Sequence, residues 1–121
     1  PLGMTINMNG TAIMQVVATL FVAGCAGYDV TFGQLVVVAL LVLIASVGTP
    51  AAPGAGAIIL FTILSGLGYV NDSALLAYSL ILAINRPIEM LLTALNVVGD
   101  SAASIYVAKS EGMLDETKYN A

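Results

Sequence analysis

The sequence predicts an all-α membrane protein that combines a broken transmembrane helix, a re-entrant helical hairpin and a kinked transmembrane helix. Composition is the first reason, because 60% of the 121 residues are hydrophobic and only 8% are charged, whereas soluble domains are about 25% charged. Layout is the second reason, because short runs rich in glycine, proline or asparagine separate the apolar stretches, and such runs interrupt helices. One span takes about 20 residues, so the chain holds only a few membrane elements.

The first element covers residues 1–28, which carry no charge. Residues 12–26 are apolar and helical in character, and a turn follows at Gly27. Residues 7–11 read NMNGT, a poor helix interior, because asparagine competes for backbone hydrogen bonds and glycine costs about 1 kcal/mol. We expect the helix to be broken there, with carbonyl oxygens that suit a hard cation such as sodium. The alternative is a simple glycine kink.

The second element, residues 30–70, belongs to a stretch of 42 uncharged residues between Asp29 and Asp72. Its two arms, residues 32–47 and 55–69, would each cover about 22–24 Å as helices. That is short of the roughly 30 Å of a hydrocarbon core. We therefore expect a re-entrant hairpin whose tip lies inside the protein, where unpaired backbone groups are tolerated. The alternative is two short ordinary spans joined by an outside loop.

The tip of this hairpin is made of small residues, which let the backbone approach a ligand closely. Helix N-termini that face a cavity there would attract an anionic group such as a carboxylate. Small residues also serve plain helix packing, which is the alternative. The residues concerned are Gly48, Ala51, Ala52, Gly54, Ala55 and Gly56.

The last membrane helix covers residues 72–108, with Pro87 as its kink point, and residues 109–121 form a polar tail that we expect to be solvated. One face of this helix carries polar residues at spacings of 4, 4, 3 and 4: Asn85, Glu89, Thr93, Asn96 and Asp100. Acids inside a span cost about 2.5–3.5 kcal/mol, so Glu89 and Asp100 are candidate cation ligands. The alternatives are that Asp100 lies in water near the helix end and that Glu89 pairs with Arg86.

Several functional classes are excluded by what the sequence lacks. It contains no histidine and a single cysteine, Cys25, which excludes histidine catalysis, an internal disulfide and a cysteine zinc site. Intramembrane-protease patterns of the GxGD or GxSG type are also absent from the sequence, so we expect no enzyme. The net charge is −4 with three cations, too few for a nucleic-acid patch.

Three motifs in order resemble the dicarboxylate/amino-acid:cation symporter family, of the glutamate-transporter type. The run PLGMTINMNGT resembles the family's PLGATINMDGT at the break of the seventh helix. The run SVGTPAAPGAG resembles the tip of the second re-entrant hairpin, and NRPIEMLLTALNVVGD resembles the eighth helix. The resemblance covers essentially the whole chain. It implies that residues 1–108 are the C-terminal half of a transport domain, in a protein longer than this chain.

The resemblance implies sodium-coupled symport, with protons as the other possible coupling ion, by an elevator motion in a homotrimer. The substrate would be a small amino acid or a monocarboxylate. The protein would be integral to the plasma (inner) membrane of a prokaryote, with a cytoplasmic C-terminus that Lys109 and Lys118 mildly favour. No nucleic acid is expected as a partner. The alternative is a truncated or split remnant that does not transport.

The resemblance also implies two sets of site residues. The predicted sodium set comprises nine residues in two sites. One site would use backbone oxygens near Gly3, Asn7 and Asn96 together with the Asp100 carboxylate. The other would use backbone oxygens of Thr5 and Met8, facing Ser46, Val47 and Thr49 in the hairpin. In the predicted substrate set, the hairpin tip and Asn96 would bind the α-carboxylate of the substrate. Glu89 would bind its amino group. This substrate set comprises Thr11, Ala51, Ala52, Gly56, Glu89, Leu92, Thr93 and Asn96.

Four departures from the family pattern change what the pocket can bind. Asn9 replaces an aspartate that ligates sodium, and Asn85 replaces another aspartate. Glu89 replaces an aspartate and is one methylene longer. Leu92 replaces the arginine that pairs with a substrate side-chain carboxylate, and leucine cannot form that bidentate contact. A second substrate carboxylate against leucine would lose its solvation without gaining a partner, so we expect a neutral or apolar amino acid, or a monocarboxylate.

Overall fold

The computed structural model describes residues 2–120, and every regular element in that range is a helix. The helices are α1 (Leu2–Ile6), α2 (Asn9–Ala26), α3 (Phe32–Gly48), α4 (Ala55–Gly66), α5 (Asp72–Ser110) and α6 (Glu116–Tyr119). By length and composition, two stretches could cross a membrane: Leu2–Ala26, of 25 residues, and Asp72–Ser110, of 39 residues. The predicted all-helical class is therefore confirmed for the described residues.

The first element is interrupted as predicted, but over fewer residues. Only Asn7 and Met8 separate α1 from α2, and Met8 has a non-helical φ of −92° and ψ of 43°. Residues 9–11, which we expected to be unwound, form the first turn of α2. Asn7 closes α1, because its backbone N–H and its side-chain Nδ2 both donate to the Gly3 carbonyl, at 3.0 and 3.1 Å.

The second element is a helical hairpin. Thr31 and Gln34 form a capping box at the start of α3, with the Gln34 N–H donating to Thr31 Oγ1 at 3.3 Å and the Thr31 N–H to Gln34 Oε1 at 2.8 Å. The two arms, α3 and α4, are joined by residues 49–54, which we call the tip. Gly54 ends the tip with φ +84°, a conformation that favours glycine. That the tip stops inside a membrane remains a prediction.

The third element, α5, runs continuously through Pro87 and ends at Ser110, two residues beyond the predicted end. The kink at Pro87 remains a prediction. The helix begins at an Asn71 cap, whose Oδ1 accepts from the Ala74 N–H at 2.8 Å. The tail after α5 is largely exposed, and it contains the short helix α6, which the sequence did not predict. Asp115 caps α6, with its Oδ1 accepting from the Lys118 N–H at 3.2 Å.

The core lies where α2, α4 and the first half of α5 meet, and its fully buried members include Val22 and Leu60. A smaller apolar cluster around Val38 attaches α3. The second half of α5 extends past this core and exposes residues such as Met90, at 75%. A space is therefore left between the α1–α2 break, the tip and the second half of α5.

Candidate functional site

The space between the break, the tip and α5 is a cavity of about 560 Å³. This volume is within the range of roughly 300–1,000 Å³ that is typical of small-molecule sites. Its wall is mostly apolar, and four of the five methionines of the chain line it: Met4, Met8, Met14 and Met90. Apolar walls with a few polar groups are the usual design of a binding pocket.

All eight residues of the predicted substrate set line this cavity. Thr11 comes from the first turn of α2, whereas Ala51 and Ala52 come from the tip and Gly56 from the first turn of α4. Helix α5 supplies the other four: Glu89, Leu92, Thr93 and Asn96. The tertiary fold thus brings three separate motifs to one space. Their contact with a substrate remains a prediction.

Asn96 joins α5 to the start of α2. Its Oδ1 accepts from the Gly10 N–H at 2.8 Å and from the Thr11 N–H at 3.4 Å. Its Nδ2 donates to Thr11 Oγ1 at 3.1 Å and lies 3.3 Å from the Met8 sulfur. The first N–H groups of a helix have no partner within the helix, so Asn96 caps α2 from another element. This cap explains why residues 9–11 are helical and not unwound.

Glu89 has two partners. Its Oε1 accepts from the Gly54 N–H at 2.7 Å, and its Oε2 lies 3.4 Å from Arg86 Nη1. The pairing of Glu89 with Arg86, which was one of the two alternatives at the sequence level, is therefore present. The contact with Gly54 was not foreseen, because nothing local in the sequence relates the two positions.

The residues of the predicted sodium set do not all line the same cavity. Four of its members, Met8, Thr49, Asn96 and Asp100, line the cavity between the break, the tip and α5. Gly3 and Asn7 line a second cavity of about 560 Å³ beside the end of α5, while the others, Thr5, Ser46 and Val47, line neither of these two cavities. The buried hydroxyl of Ser46 donates to the Leu43 carbonyl at 3.0 Å. The first predicted site is thus divided between the two cavities, and of the second site only Met8 and Thr49 line either of them. That these residues bind sodium remains a prediction.

Asp100 is the member of the sodium set whose geometry fits a cation. It lines the cavity between the break, the tip and α5, and its Oδ1 is buried without a hydrogen-bond partner among residues 2–120. A buried carboxylate oxygen without a partner is costly, and a hard cation such as sodium prefers oxygen ligands of this kind. The described residues contain no cluster of three or more His, Cys, Asp or Glu side chains. A cation here would be held by one carboxylate together with neutral oxygens.

Three of the four departures from the family pattern, at Leu92, Asn9 and Asn85, have distinct surroundings. Leu92 lines the cavity and packs on the core. Asn9 faces α5, where its Nδ2 donates to the Leu95 carbonyl at 3.4 Å and its side chain occupies the space that a Cβ on Gly99 would need. Asn85 is buried, with 6% of its surface exposed, and does not line the cavity. Of the five residues of the predicted polar face, the other four line the cavity.

Sequence reasoning missed three of the four methionines that line the cavity, Met4, Met14 and Met90, and the two tip prolines, Pro50 and Pro53, which also line it. A signal for these methionines was available, since two methionines flank the predicted break and a third follows Glu89 directly. Methionine, however, more often fills an apolar core than a binding site. Only the packing of α1, α2 and α5 shows which methionine side chains face the cavity.

The chain is similar in sequence to known proteins along most of its length. The profile of the sodium:dicarboxylate symporter family matches residues 1–110. The chain is 39% identical over 114 residues to excitatory amino acid transporter 2 of Homo sapiens, covering 92% of this chain and 19% of that protein. It is 38% identical over 117 residues to an excitatory amino acid transporter of Onchocerca volvulus, covering 95% of this chain and 23% of that protein.

A third relative is a putative sodium-dependent excitatory amino acid transporter of Caenorhabditis elegans, 34% identical over 109 residues, which cover 90% of this chain and 21% of that protein. The chain spans about a fifth of the length of these relatives. The match over residues 1–110 confirms the resemblance predicted from the three motifs. The chain belongs to the sodium:dicarboxylate symporter family.

Proposed function

We propose that this chain is the ion- and substrate-binding C-terminal portion of a sodium-coupled symporter for a small neutral amino acid. Residues 1–108 would be the C-terminal half of its transport domain, embedded in a membrane. The observation that carries the proposal is the buried Asp100 oxygen without a partner among the described residues, beside a cavity lined by the whole predicted substrate set. The name of one relative, a putative sodium-dependent transporter, supports sodium as the coupling ion, and protons are the second possibility.

The charges around the cavity support a neutral substrate. Among the described residues that line it, Arg86 is the one cation, and its guanidinium is already 3.4 Å from the Glu89 carboxylate. Leu92 provides an apolar surface where a second substrate carboxylate would lie. An acidic amino acid would there exchange water for a hydrocarbon surface, which is unfavourable. The excitatory amino acid transporters among the relatives are thus expected to differ from this protein in substrate.

The remaining parts of the proposal rest on family membership. They are the elevator motion, the homotrimer and a cytoplasmic C-terminus. The relatives reported above are animal proteins, so they lend no support to the predicted prokaryotic plasma membrane. The comparisons also do not favour the alternative of a non-transporting remnant, since the family match runs through all three motifs.

Thermal unfolding of the purified, detergent-solubilised protein tests the proposal. Melting is followed in sodium and in potassium at equal ionic strength, with and without a panel of neutral and acidic amino acids. A ligand that binds only the folded state stabilises it by about 2.7 kcal/mol at 100 times its Kd. We expect a higher melting temperature in sodium, and a further rise with one or more neutral amino acids.

The control is the same panel in potassium, where amino acids should have little effect if binding is sodium-coupled. A rise with aspartate or glutamate equal to that with neutral amino acids would contradict the neutral-substrate assignment. Identical melting in sodium and potassium, with every ligand, would contradict the coupled site.

A further inference from the structure

We propose that two flexible methionines, Met4 and Met90, let the cavity accept apolar amino acids of different sizes. We call these two residues the adaptable pair. They would make the protein a broad-range transporter of apolar amino acids and not one that selects a single side chain. Such breadth deepens the proposed function and rests on it, because it requires that the cavity bind an amino acid.

The four methionines of the cavity come from different parts of the fold. Met4 belongs to α1, Met8 to the break, Met14 to α2 and Met90 to α5. Met4 stands where the family's run PLGATINMDGT has alanine, so this part of the lining departs from the family pattern. Methionine is unbranched, has three rotatable bonds and a polarisable sulfur, and fills apolar gaps of irregular shape. Together these side chains bring adaptable apolar surface to the cavity from several elements.

Met8 and Met14 are held in place. Both are buried. The Met8 sulfur lies 3.3 Å from Asn96 Nδ2 and 3.7 Å from the Thr11 hydroxyl oxygen. Met14 belongs to the apolar core, and its methyl carbon lies 3.4 Å from the position that a Cβ on Gly56 would take. These two methionines therefore form a fixed part of the cavity lining.

Met4 and Met90 are far less constrained. Their side chains are part of the cavity lining, yet Met4 is 51% exposed and Met90 is 75% exposed. Neither belongs to the apolar clusters of the core. Exposed side chains change rotamer within picoseconds to nanoseconds. Each residue of the adaptable pair can therefore turn toward a small ligand and away from a large one.

The rest of the lining supplies little rigid apolar surface. None of the described lining residues is aromatic, and the branched aliphatic ones are Leu92 and Val97. The cavity volume of about 560 Å³ is well above the roughly 300 Å³ at which small-molecule sites begin. A shaped apolar pocket discriminates one methylene group by about 10–200-fold, whereas methionine-rich surfaces repack around different ligands. We therefore expect weak discrimination by side-chain size.

Binding constants of four amino acids test this breadth. Valine, leucine, methionine and phenylalanine are titrated in sodium against the purified, detergent-solubilised full chain, and the rise in melting temperature gives each Kd. In wild type, the four Kd values should lie within about tenfold of one another, below the selectivity of a shaped pocket.

A double variant, Met4→Leu with Met90→Leu, tests the adaptable pair. Leucine keeps nearly the same apolar volume but has fewer rotatable bonds. The spread of the four Kd values should therefore widen beyond tenfold. Met113→Leu is the matched control, because Met113 is 80% exposed and does not line this cavity. It should keep the wild-type spread.

Carbon-13 NMR of the methionine methyl groups gives a second readout. The chain has five methionines, so single Met→Leu variants assign every signal. Without ligand, the methyl groups of Met4 and Met90 should be mobile within nanoseconds, and those of Met8 and Met14 should be restricted. In sodium, valine and phenylalanine should shift the signals of the adaptable pair differently, while the signal of Met113 should not respond.

One amino acid that binds more than tenfold tighter than the other three would overturn the breadth. An unchanged spread in the double variant, or identical signals of the adaptable pair with valine and with phenylalanine bound, would overturn the role of Met4 and Met90. If amino acids bind while both methyl groups are rigid, the proposed function stands and the adaptable pair fails. If no amino acid changes the melting temperature or any methyl signal, the proposed function fails, and the breadth fails with it.

Discussion

The side-chain oxygen of Asn96 accepts a hydrogen bond from the backbone N–H of Gly10 at 2.8 Å, and so caps α2 from α5. Met8, the residue before α2, makes no side-chain capping bond within the described residues. Because Asn96 also bonds Thr11, one side chain both caps α2 and joins the start of α2 to α5, beyond the apolar core that packs the two helices together. Asn96 therefore caps α2 and also forms part of the cavity wall.

Replacing Asn96 with alanine should destabilise the protein by about 0.5–2 kcal/mol, the usual range for loss of a helix cap. Asn96→Asp, which keeps the acceptor oxygen but loses the two donors, should lose less. Denaturant or thermal unfolding in detergent measures both. Ser101→Ala is the matched control on the same helix, because the Ser101 hydroxyl donates only to the Val97 carbonyl of α5 among the described residues. A loss no greater for Asn96→Ala than for this control would refute the cap.

Two glycines of α2 should respond oppositely to alanine. A Cβ on Gly10 would lie 2.7 Å from the Leu92 carbonyl oxygen, a backbone atom that cannot turn aside. We expect Gly10→Ala to cost about 1–3 kcal/mol, as overpacked sites do. A Cβ on Gly24 would meet no atom of another element within 4 Å, so Gly24→Ala should be neutral or stabilise by up to about 1 kcal/mol. Equal unfolding midpoints for the two variants would contradict the close contact of α2 with α5.

Asp100→Asn should weaken sodium binding at least tenfold, because it removes the negative charge of a buried oxygen that has no partner in residues 2–120. The sodium dependence of the melting temperature measures this loss. Asp72→Asn is the control: it makes the same change on the same helix, in the exposed first turn. It should leave the sodium dependence intact. An unaltered sodium response in Asp100→Asn would remove Asp100 from the ion site.

Leu92→Arg should raise affinity for aspartate at least tenfold, because a guanidinium in the cavity can pair with a second carboxylate. Leu92→Gln separates this effect from loss of the leucine, since it removes the same apolar contacts without adding charge. The comparison uses the melting shift caused by aspartate in each variant. An equal gain in both variants would show that space in the cavity, and not charge, determines selectivity.

Much of the fold could be predicted from local pattern. The apolar runs and their breaks predicted three elements, and each is present as helices between residues 2 and 120. The spacing of Glu89, Thr93, Asn96 and Asp100 placed them on one face, and they do line one cavity. The extent of the break was predicted less well. Composition showed a weak helix at residues 7–11, but it could not show that Asn96, on another helix, restores the turn.

The sequence by itself determined the helical membrane class, the family and the polar face of α5, because composition and periodicity act over a few residues. The tertiary structure alone decided which atoms meet in the cavity. The bonds that define the site join residues far apart in the chain, with a sequence separation of 35 for Gly54 and Glu89 and of 86 for Gly10 and Asn96. Such contacts depend on how α2, α4 and α5 pack together, since a shift of one helical turn would bring other side chains to the same place.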